Sequence, residues 1–124
     1  MKPDFILSGT VISGQKRGAT LGFPTANILL SQDVPEGIYA SFFTVKNHTY
    51  QAATFIGSAK TFNEIEVKAE SFILDFSDTI YGENVTISLF KKIRENQAFS
   101  SADELIEQMQ KDIEIIRHFF ETMK

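Results

Sequence analysis

A chain of 124 residues, 43% of them hydrophobic, is long enough to form one domain with its own buried core. It contains no cysteine, which excludes disulfide bonds and cysteine-ligated zinc, and its net charge of −4 disfavours binding to nucleic acid. The amino terminus lacks the apolar run of a signal peptide, and no window approaches the roughly 18 apolar residues of a membrane-spanning helix. We therefore expect a cytoplasmic protein that binds neither nucleic acid nor membrane.

Short β-rich runs separated by turn residues occupy the first hundred residues of the chain. They predict strands at residues 10–13, 37–45, 49–56, 66–76 and 84–93. In the last run Val85, Ile87 and Leu89 recur at every second position, which is typical of a strand with one buried face. Because no helical pattern separates these runs, the sequence predicts an antiparallel sandwich or barrel over about residues 5–98.

The carboxyl-terminal part of the chain has a helical pattern at about residues 102–120. Ser101 and Glu104 fit a capping box at its start. Apolar side chains recur at helical spacing on one face, at Leu105, Met109, Ile113, Ile116 and Phe120. We expect this helix to dock on the barrel, and a helix that binds a partner protein is the alternative.

A glycine-rich segment lies near the amino terminus, between residues 8 and 27. It holds four of the seven glycines, Gly9, Gly14, Gly18 and Gly22. Lys16 and Arg17 add positive charge, and exposed backbone amides beside cations can bind a polyphosphate. The glycines match neither the P-loop nor the dinucleotide-binding pattern, so their spacing leaves a mobile barrel loop and a phosphate-binding loop equally open.

Thr25 and Asn27 follow this segment and are two residues apart. In extended backbone both side chains project to the same side. A hydroxyl and an amide oxygen can hold a hard divalent cation alongside phosphate oxygens. The alternative reading is that Thr25 and Asn27 form turn hydrogen bonds beside Pro24.

Several short motifs follow one another along the chain. Residues 9–28 read GTVISGQKRGATLGFPTANI, and they are followed by PEGIYA at 35–40, IG at 56–57 and TF at 61–62. ESFILDF at 70–76, IYGE at 80–83, IR at 93–94 and Phe99 complete the series. Together they resemble the signature of riboflavin kinases, which occur as free-standing enzymes and as the carboxyl-terminal domain of bacterial bifunctional FAD synthetases. The resemblance covers about residues 5–113.

This resemblance implies a mainly β fold, a six-stranded antiparallel Greek-key β-barrel with a C-terminal α-helix. It implies a magnesium-assisted transfer of phosphate from ATP to the ribityl 5′-hydroxyl of riboflavin, giving FMN and ADP. Thr25 and Asn27 match the magnesium ligands of the family, while Arg94 and Phe99 fall where the family meets the flavin. The positions implied for ATP binding are Gly14, Lys16, Arg17, Gly18, Gly22, Pro24, Thr25, Asn27, Tyr81 and Gly82.

Glu70 matches the proposed catalytic base of the family. By strand alternation it shares a face with Phe72, Leu74 and Phe76, and an apolar face would partly desolvate the carboxylate. Desolvation raises the pKa of a carboxyl group towards the range that suits a base. Without the resemblance, a strand-end glutamate in water is the simpler reading.

The chain departs from the family pattern at Lys60, Asn96 and Ala98, which leaves flavin affinity open. A catalytically silent flavin- or nucleotide-binding barrel is the alternative function, and an oligonucleotide-binding barrel is a third, which the acidic charge opposes. The length leaves no room for a nucleotidyltransferase domain, so we expect one kinase domain over residues 1–124 that stops at FMN. We expect a monomer, and both a free-standing enzyme and an excised domain remain open.

Overall fold

The structure is a computed structural model, and it describes residues 2–12, 25–30, 32–60, 65–76 and 78–123, without the side chains of residues 59, 60, 65 and 66. The strands are β1 (Phe5–Thr10), β2 (Ala26–Leu29), β3 (Gly37–Val45), β4 (His48–Lys60), β5 (Ile65–Ile73) and β6 (Asn84–Arg94). One helix, α1 (Ala102–Met123), follows them in the described chain.

All neighbouring strands are antiparallel, in the order β1-β6-β3-β4-β5-β2. β3, β4 and β5 follow one another in the sheet, and β6 returns to lie beside β3, which is a Greek-key arrangement. The two ends of the sheet meet just beyond β1, where the Ile12 amide donates to the Asn27 carbonyl at 2.9 Å. The predicted six-stranded Greek-key barrel with a terminal helix is therefore confirmed, as a nearly closed barrel.

The barrel interior is filled by side chains that alternate along the strands. Its apolar members are continuous from strand to strand: Leu7, Ile28, Tyr39, Phe43, Ala52, Ile56, Ala69, Ile73, Val85, Ile87 and Leu89. Three polar residues, Ser41, Thr54 and Ser71, lie fully buried among these apolar side chains. Ser41 Oγ is 2.7 Å from Thr54 Oγ1, and Thr54 Oγ1 is 2.8 Å from Ser71 Oγ. These hydroxyls satisfy one another, which removes the cost of burying them.

The outer face of the barrel packs against α1. Phe42 of β3 stacks on Phe120 with ring centroids 4.4 Å apart, and Phe90 of β6 meets the same ring edge-on at 5.8 Å. Ile116 is fully buried in this second cluster, so α1 is docked on the barrel. Glu104 N–H donates to Ser101 Oγ at 3.2 Å, as in the predicted capping box.

Several predicted strand limits are wrong. The first strand is Phe5–Thr10 and not 10–13, and β2 was absent from the strands predicted by pattern. β5 ends at Ile73, because Leu74 and Asp75 form a turn in which Asp75 has a φ of 59°. The face shared by Glu70 and Phe72 therefore does not continue to Leu74 and Phe76.

Candidate active site

The pairing of β2 with β5 brings the predicted metal ligands and the predicted base together. Asn27 lies directly opposite Glu70 in the antiparallel register, so their side chains share one face. Thr25 is two residues before Asn27, and its Oγ1 donates to Glu70 Oε1 at 3.2 Å. The neighbouring pair, Ile28 and Ala69, faces the interior, so Thr25, Asn27 and Glu70 lie on the outer face of the barrel.

Glu70 is half-buried at this position. Burial raises the pKa of its carboxyl group above the usual value, and the hydrogen bond from Thr25 and the charge of Lys68 oppose that shift. Because desolvation is the largest cause, the carboxylate is a stronger base than a glutamate in water. The predicted direction of this pKa shift is confirmed, although only Phe72 of the three predicted apolar neighbours shares its strand face.

Asn27 has an oxygen that the described protein does not satisfy. The residue is 3% exposed, and its Oδ1 has no hydrogen-bond partner among the described residues. A buried acceptor without a donor costs free energy, so such an atom is a natural ligand for a cation. Thr25 Oγ1 retains lone pairs while it donates to Glu70, so both oxygens suit a hard divalent cation.

A cavity of about 360 Å³ extends from these residues along the outer face towards α1. Glu70 and Thr25 lie at its barrel side, and Arg94 and Asp112 contribute charged groups where β6 meets α1. The remaining lining side chains are mainly apolar: Ile38, Ala53, Phe55, Phe72, Gln97, Phe99, Leu105 and Met109. A largely apolar cleft with a few convergent polar groups is typical of a site for an aromatic small molecule.

An ion pair joins the partly buried Arg94 at the end of β6 to the buried Asp112 of α1. Arg94 Nε donates to Asp112 Oδ1 at 2.8 Å, and Arg94 Nη2 donates to Asp112 Oδ2 at 2.7 Å. Gln108 Nε2 donates to Asp112 Oδ1 at 3.0 Å, and Arg94 Nη1 donates to the Glu95 carbonyl at 3.1 Å. The guanidinium carbon lies 5.9 Å from the centre of the Phe99 ring, so the two predicted flavin contacts are adjacent.

The other predicted ATP contacts are only partly described. Tyr81 and Gly82 lie in an exposed turn, and the Gly82 amide donates to the Val11 carbonyl at 2.9 Å. This turn therefore lies beside the strand that leads into residues 13–24, and Tyr81 and Gly82 do not line the cavity. The remaining predicted ATP residues lie outside the described residues: Gly14, Lys16, Arg17, Gly18, Gly22 and Pro24.

Sequence reasoning missed several lining residues that the fold brings to the cavity, among them Phe55, Phe72 and Asp112. Phe72 was predicted to share the strand face of Glu70 but was given no role in the site, and neither Phe55 nor Asp112 was singled out. The helical spacing of the sequence does indicate Asp112. It lies three residues after Met109 and four before Ile116, so all three share one face of the helix. A carboxylate within an apolar helix stripe needs a buried partner, and Arg94 is that partner.

The nearly closed six-stranded barrel with its docked terminal helix has the riboflavin kinase fold. The family model described as "Riboflavin kinase" matches residues 1–120, and the chain belongs to that family. Among curated relatives, the bifunctional riboflavin kinase/FMN adenylyltransferase of Listeria monocytogenes is 39% identical over 124 residues. That alignment covers 97% of this chain and 40% of the relative, so the chain spans about two-fifths of the bifunctional protein.

Solved structures show the same fold. The riboflavin kinase of Trypanosoma brucei superposes with a TM-score of 0.70 at 28% identity, over 98% of this chain and 82% of that one. A structure described as a macrolide-efflux protein from Streptococcus pneumoniae superposes with a TM-score of 0.85 at 35% identity, over 93% of this chain and 38% of that one. In the described part of this chain, no helix has the length and apolar character needed to cross a bilayer.

Proposed function

We propose that this chain transfers the γ-phosphate of ATP to the ribityl 5′-hydroxyl of riboflavin, giving FMN and ADP. The observation that carries the proposal is the convergence of Thr25, Asn27 and Glu70 beside an aromatic-lined cavity, which Thr25 and Glu70 help to line. The polar residues and the aromatic lining are both required, because a phosphoryl transfer to a flavin needs a polyphosphate site and a surface for a flat aromatic ring.

Glu70 is the proposed general base. Its carboxylate accepts the proton of the 5′-hydroxyl while the hydroxyl oxygen bonds to the γ-phosphorus, and the bond from that phosphorus to the bridging oxygen of ADP breaks. Burial raises the pKa of Glu70, which strengthens it as a proton acceptor, and the Thr25 hydroxyl fixes one carboxylate oxygen. The second carboxylate oxygen is then the one aimed at the substrate.

Thr25 and Asn27 are the proposed ligands for Mg²⁺ through one oxygen each. The buried, unpartnered Oδ1 of Asn27 supports this assignment, since a cation would satisfy it. When bound, the ion would neutralise charge on the ATP phosphates, which supply the anionic ligands that this pair lacks. Mg²⁺ fits better than a softer metal because both protein donors are neutral oxygens.

The flavin ring is proposed to lie between the barrel and α1. Phe55, Phe72 and Phe99 offer ring faces there, and Arg94, held by Asp112, offers a planar cation. The ribityl chain would then extend towards Glu70, because Glu70 on β5 lines the same cavity as Arg94 on β6, with β3 and β4 between their strands.

Formation of FMN from riboflavin, ATP and Mg²⁺, followed by chromatography with fluorescence detection, tests the proposal. We expect one ADP for each FMN and no product when Mg²⁺ is chelated. Quenching of riboflavin fluorescence without any turnover would instead indicate a catalytically silent flavin-binding barrel. A chain that neither binds nor phosphorylates riboflavin would refute the proposal outright.

A further inference from the structure

Residues 95–99 connect β6 to α1 and form one wall of the cavity. The segment has no regular secondary structure, yet it contributes Gln97 and Phe99 to the lining. Glu95 forms an ion pair with Lys92, three residues earlier on β6, which holds only the start of the segment to its own strand. A wall without helix or strand hydrogen bonds needs other contacts to keep a fixed position.

Asn96 supplies such contacts to two other parts of the barrel. Its Nδ2 donates to Glu36 Oε2 at 3.3 Å and to the Ile56 carbonyl at 3.3 Å. The other oxygen of Glu36 accepts a hydrogen bond of 2.6 Å from Ser58 Oγ. Glu36 precedes β3 and Ser58 lies on β4, so Asn96 joins the segment to two neighbouring elements through a fixed carboxylate. We name Glu36, Ser58 and Asn96 the polar clamp.

We propose that Asn96 is a positioning residue for the flavin, which it serves by holding Gln97 and Phe99 against the cavity. This inference rests on the proposed function, because it assumes that the ring binds beside Phe99. Asn96 has no assigned contact with either substrate, and it adjoins Gln97 in the chain and lies three residues before Phe99. Loss of the clamp should therefore weaken flavin binding and leave the phosphoryl-transfer groups in place.

The chemistry of the clamp requires a donor at residue 96. A primary amide has two N–H groups, enough for the two acceptors that lie 3.3 Å from Asn96 Nδ2. A carboxylate at the same position has no donor and would face the Glu36 carboxylate across a hydrogen-bond distance. Two like charges that close repel even near the surface.

A substitution pair tests the clamp. Asn96→Glu should raise the KM for riboflavin roughly five- to thirtyfold, with kcat and the KM for MgATP changed less than about threefold. Glu36→Gln alone should change the riboflavin KM by less than about threefold. The double variant Glu36→Gln/Asn96→Glu exchanges donor and acceptor between these two side chains and should recover part of the lost affinity, because the Ile56 carbonyl still lacks the donor that Asn96 supplies.

Gln110→Glu provides the control for charge, because it likewise replaces an amide with a carboxylate at an exposed position of α1. It should leave every kinetic constant unchanged. A riboflavin dissociation constant from fluorescence quenching should follow the KM, and thermal unfolding should show that all variants are folded. A merely structural role would lower the melting temperature and the active fraction without a selective effect on riboflavin.

The outcomes separate this inference from the proposed function. If the unmodified chain phosphorylates riboflavin and Asn96→Glu leaves the riboflavin KM unchanged, the clamp is wrong and the proposed function stands. If Asn96→Glu weakens riboflavin and Glu36→Gln gives no recovery, repulsion across the clamp is wrong as the cause. If the unmodified chain neither binds nor phosphorylates riboflavin, both proposals fail.

Discussion

Replacement of Glu70 by glutamine isolates the proton-accepting role from the shape of the site. Glutamine keeps the length of the side chain, and its amide oxygen can still accept the hydrogen bond that Thr25 Oγ1 donates to Glu70 at 3.2 Å. The change removes the basic carboxylate, whose pKa burial raises. Asn27, on the facing strand, keeps its position because the β2–β5 backbone pairing is untouched.

Loss of a positioned general base lowers kcat by about 10²–10⁴, which corresponds to an increase of about 3–5 kcal/mol in the activation barrier. We expect Glu70→Gln to lie in this range, with the KM for riboflavin changed little because the cavity walls remain. In the unmodified protein kcat/KM should fall as pH falls through the raised pKa of Glu70. Glu70→Gln should lose this acid limb.

The pH dependence of folding stability gives an independent test of the raised pKa of Glu70. Because burial raises the pKa of Glu70, the folded protein binds this proton more tightly than the unfolded chain does. Its stabilising contribution is therefore complete below the ordinary glutamate pKa and is lost as pH rises through the raised pKa. Glu70→Gln should accordingly melt at the same or a higher temperature than the unmodified protein at pH 7, and the difference should vanish near pH 4.

The assay is FMN formation over a pH series, and differential scanning fluorimetry follows unfolding in the same buffers. Glu114→Gln, at an exposed position of α1, is the matched control and should change neither readout. An unchanged kcat in Glu70→Gln would refute the base assignment. Lower stability at pH 7 would refute the claim that the buried charge is costly.

Three further substitutions test the remaining parts of the site. Asn27→Ala should raise the Mg²⁺ and MgATP concentrations needed for half-maximal rate more than it raises the riboflavin KM. It should leave the melting temperature of the metal-free protein nearly unchanged, since Oδ1 has no described partner to lose. An unaltered Mg²⁺ titration would contradict the ligand role. Asp112→Ala should lower the free energy of unfolding in urea by about 1.5–3 kcal/mol, because it removes two charge-assisted hydrogen bonds from the partly buried Arg94 guanidinium. A loss below about 0.5 kcal/mol would contradict that account. Gly57→Ala places a methyl group against the Phe55 ring, so it should raise the riboflavin KM and cost about 1–3 kcal/mol of stability, and addition of Phe55→Leu should restore part of both.

Most strands were predictable from sequence because turns and strand alternation are local features, whereas the Greek-key barrel was expected from the family resemblance and not from the strand pattern. The β3 limits agree with the predicted 37–45, and β6 differs from the predicted 84–93 by one residue. β2 was missed because it has only four residues, too few to display a period of two. The predicted strand 66–76 extends beyond the end of β5 at Ile73, because the apolar residues of ILDF suggest that the strand continues. Asp75 instead adopts a positive φ, in the turn that follows the strand.

The residues of the candidate site could be predicted where they belong to a sequence motif. Contacts between residues that are distant in the chain could not be predicted. Thr25, Asn27 and Glu70 were identified from ordered motifs, and β2–β5 pairing places them together. The pairing of Arg94 with Asp112 joins residues 18 positions apart on different elements, and no local pattern specifies it. The polar clamp spans 60 positions between Glu36 and Asn96, so it too becomes visible only in the folded chain.

The outer location of the cavity follows from how β5 divides its side chains. Hydrophobicity alone would put Phe72 inside and Ser71 outside. Alternation from Ala69 instead turns Ser71 into the interior, where it is fully buried among hydroxyls, and Phe72 outward to line the cavity. A six-stranded barrel has an interior that its own side chains fill, so a ligand of flavin size must bind on its surface. Phe42 and Phe90 on that surface are covered by α1, whereas Phe55 and Phe72 border the cavity. The phenylalanine content of the strands thus serves two outer-face surfaces as well as a core, which is why α1 is as much a wall of the site as a support for the fold.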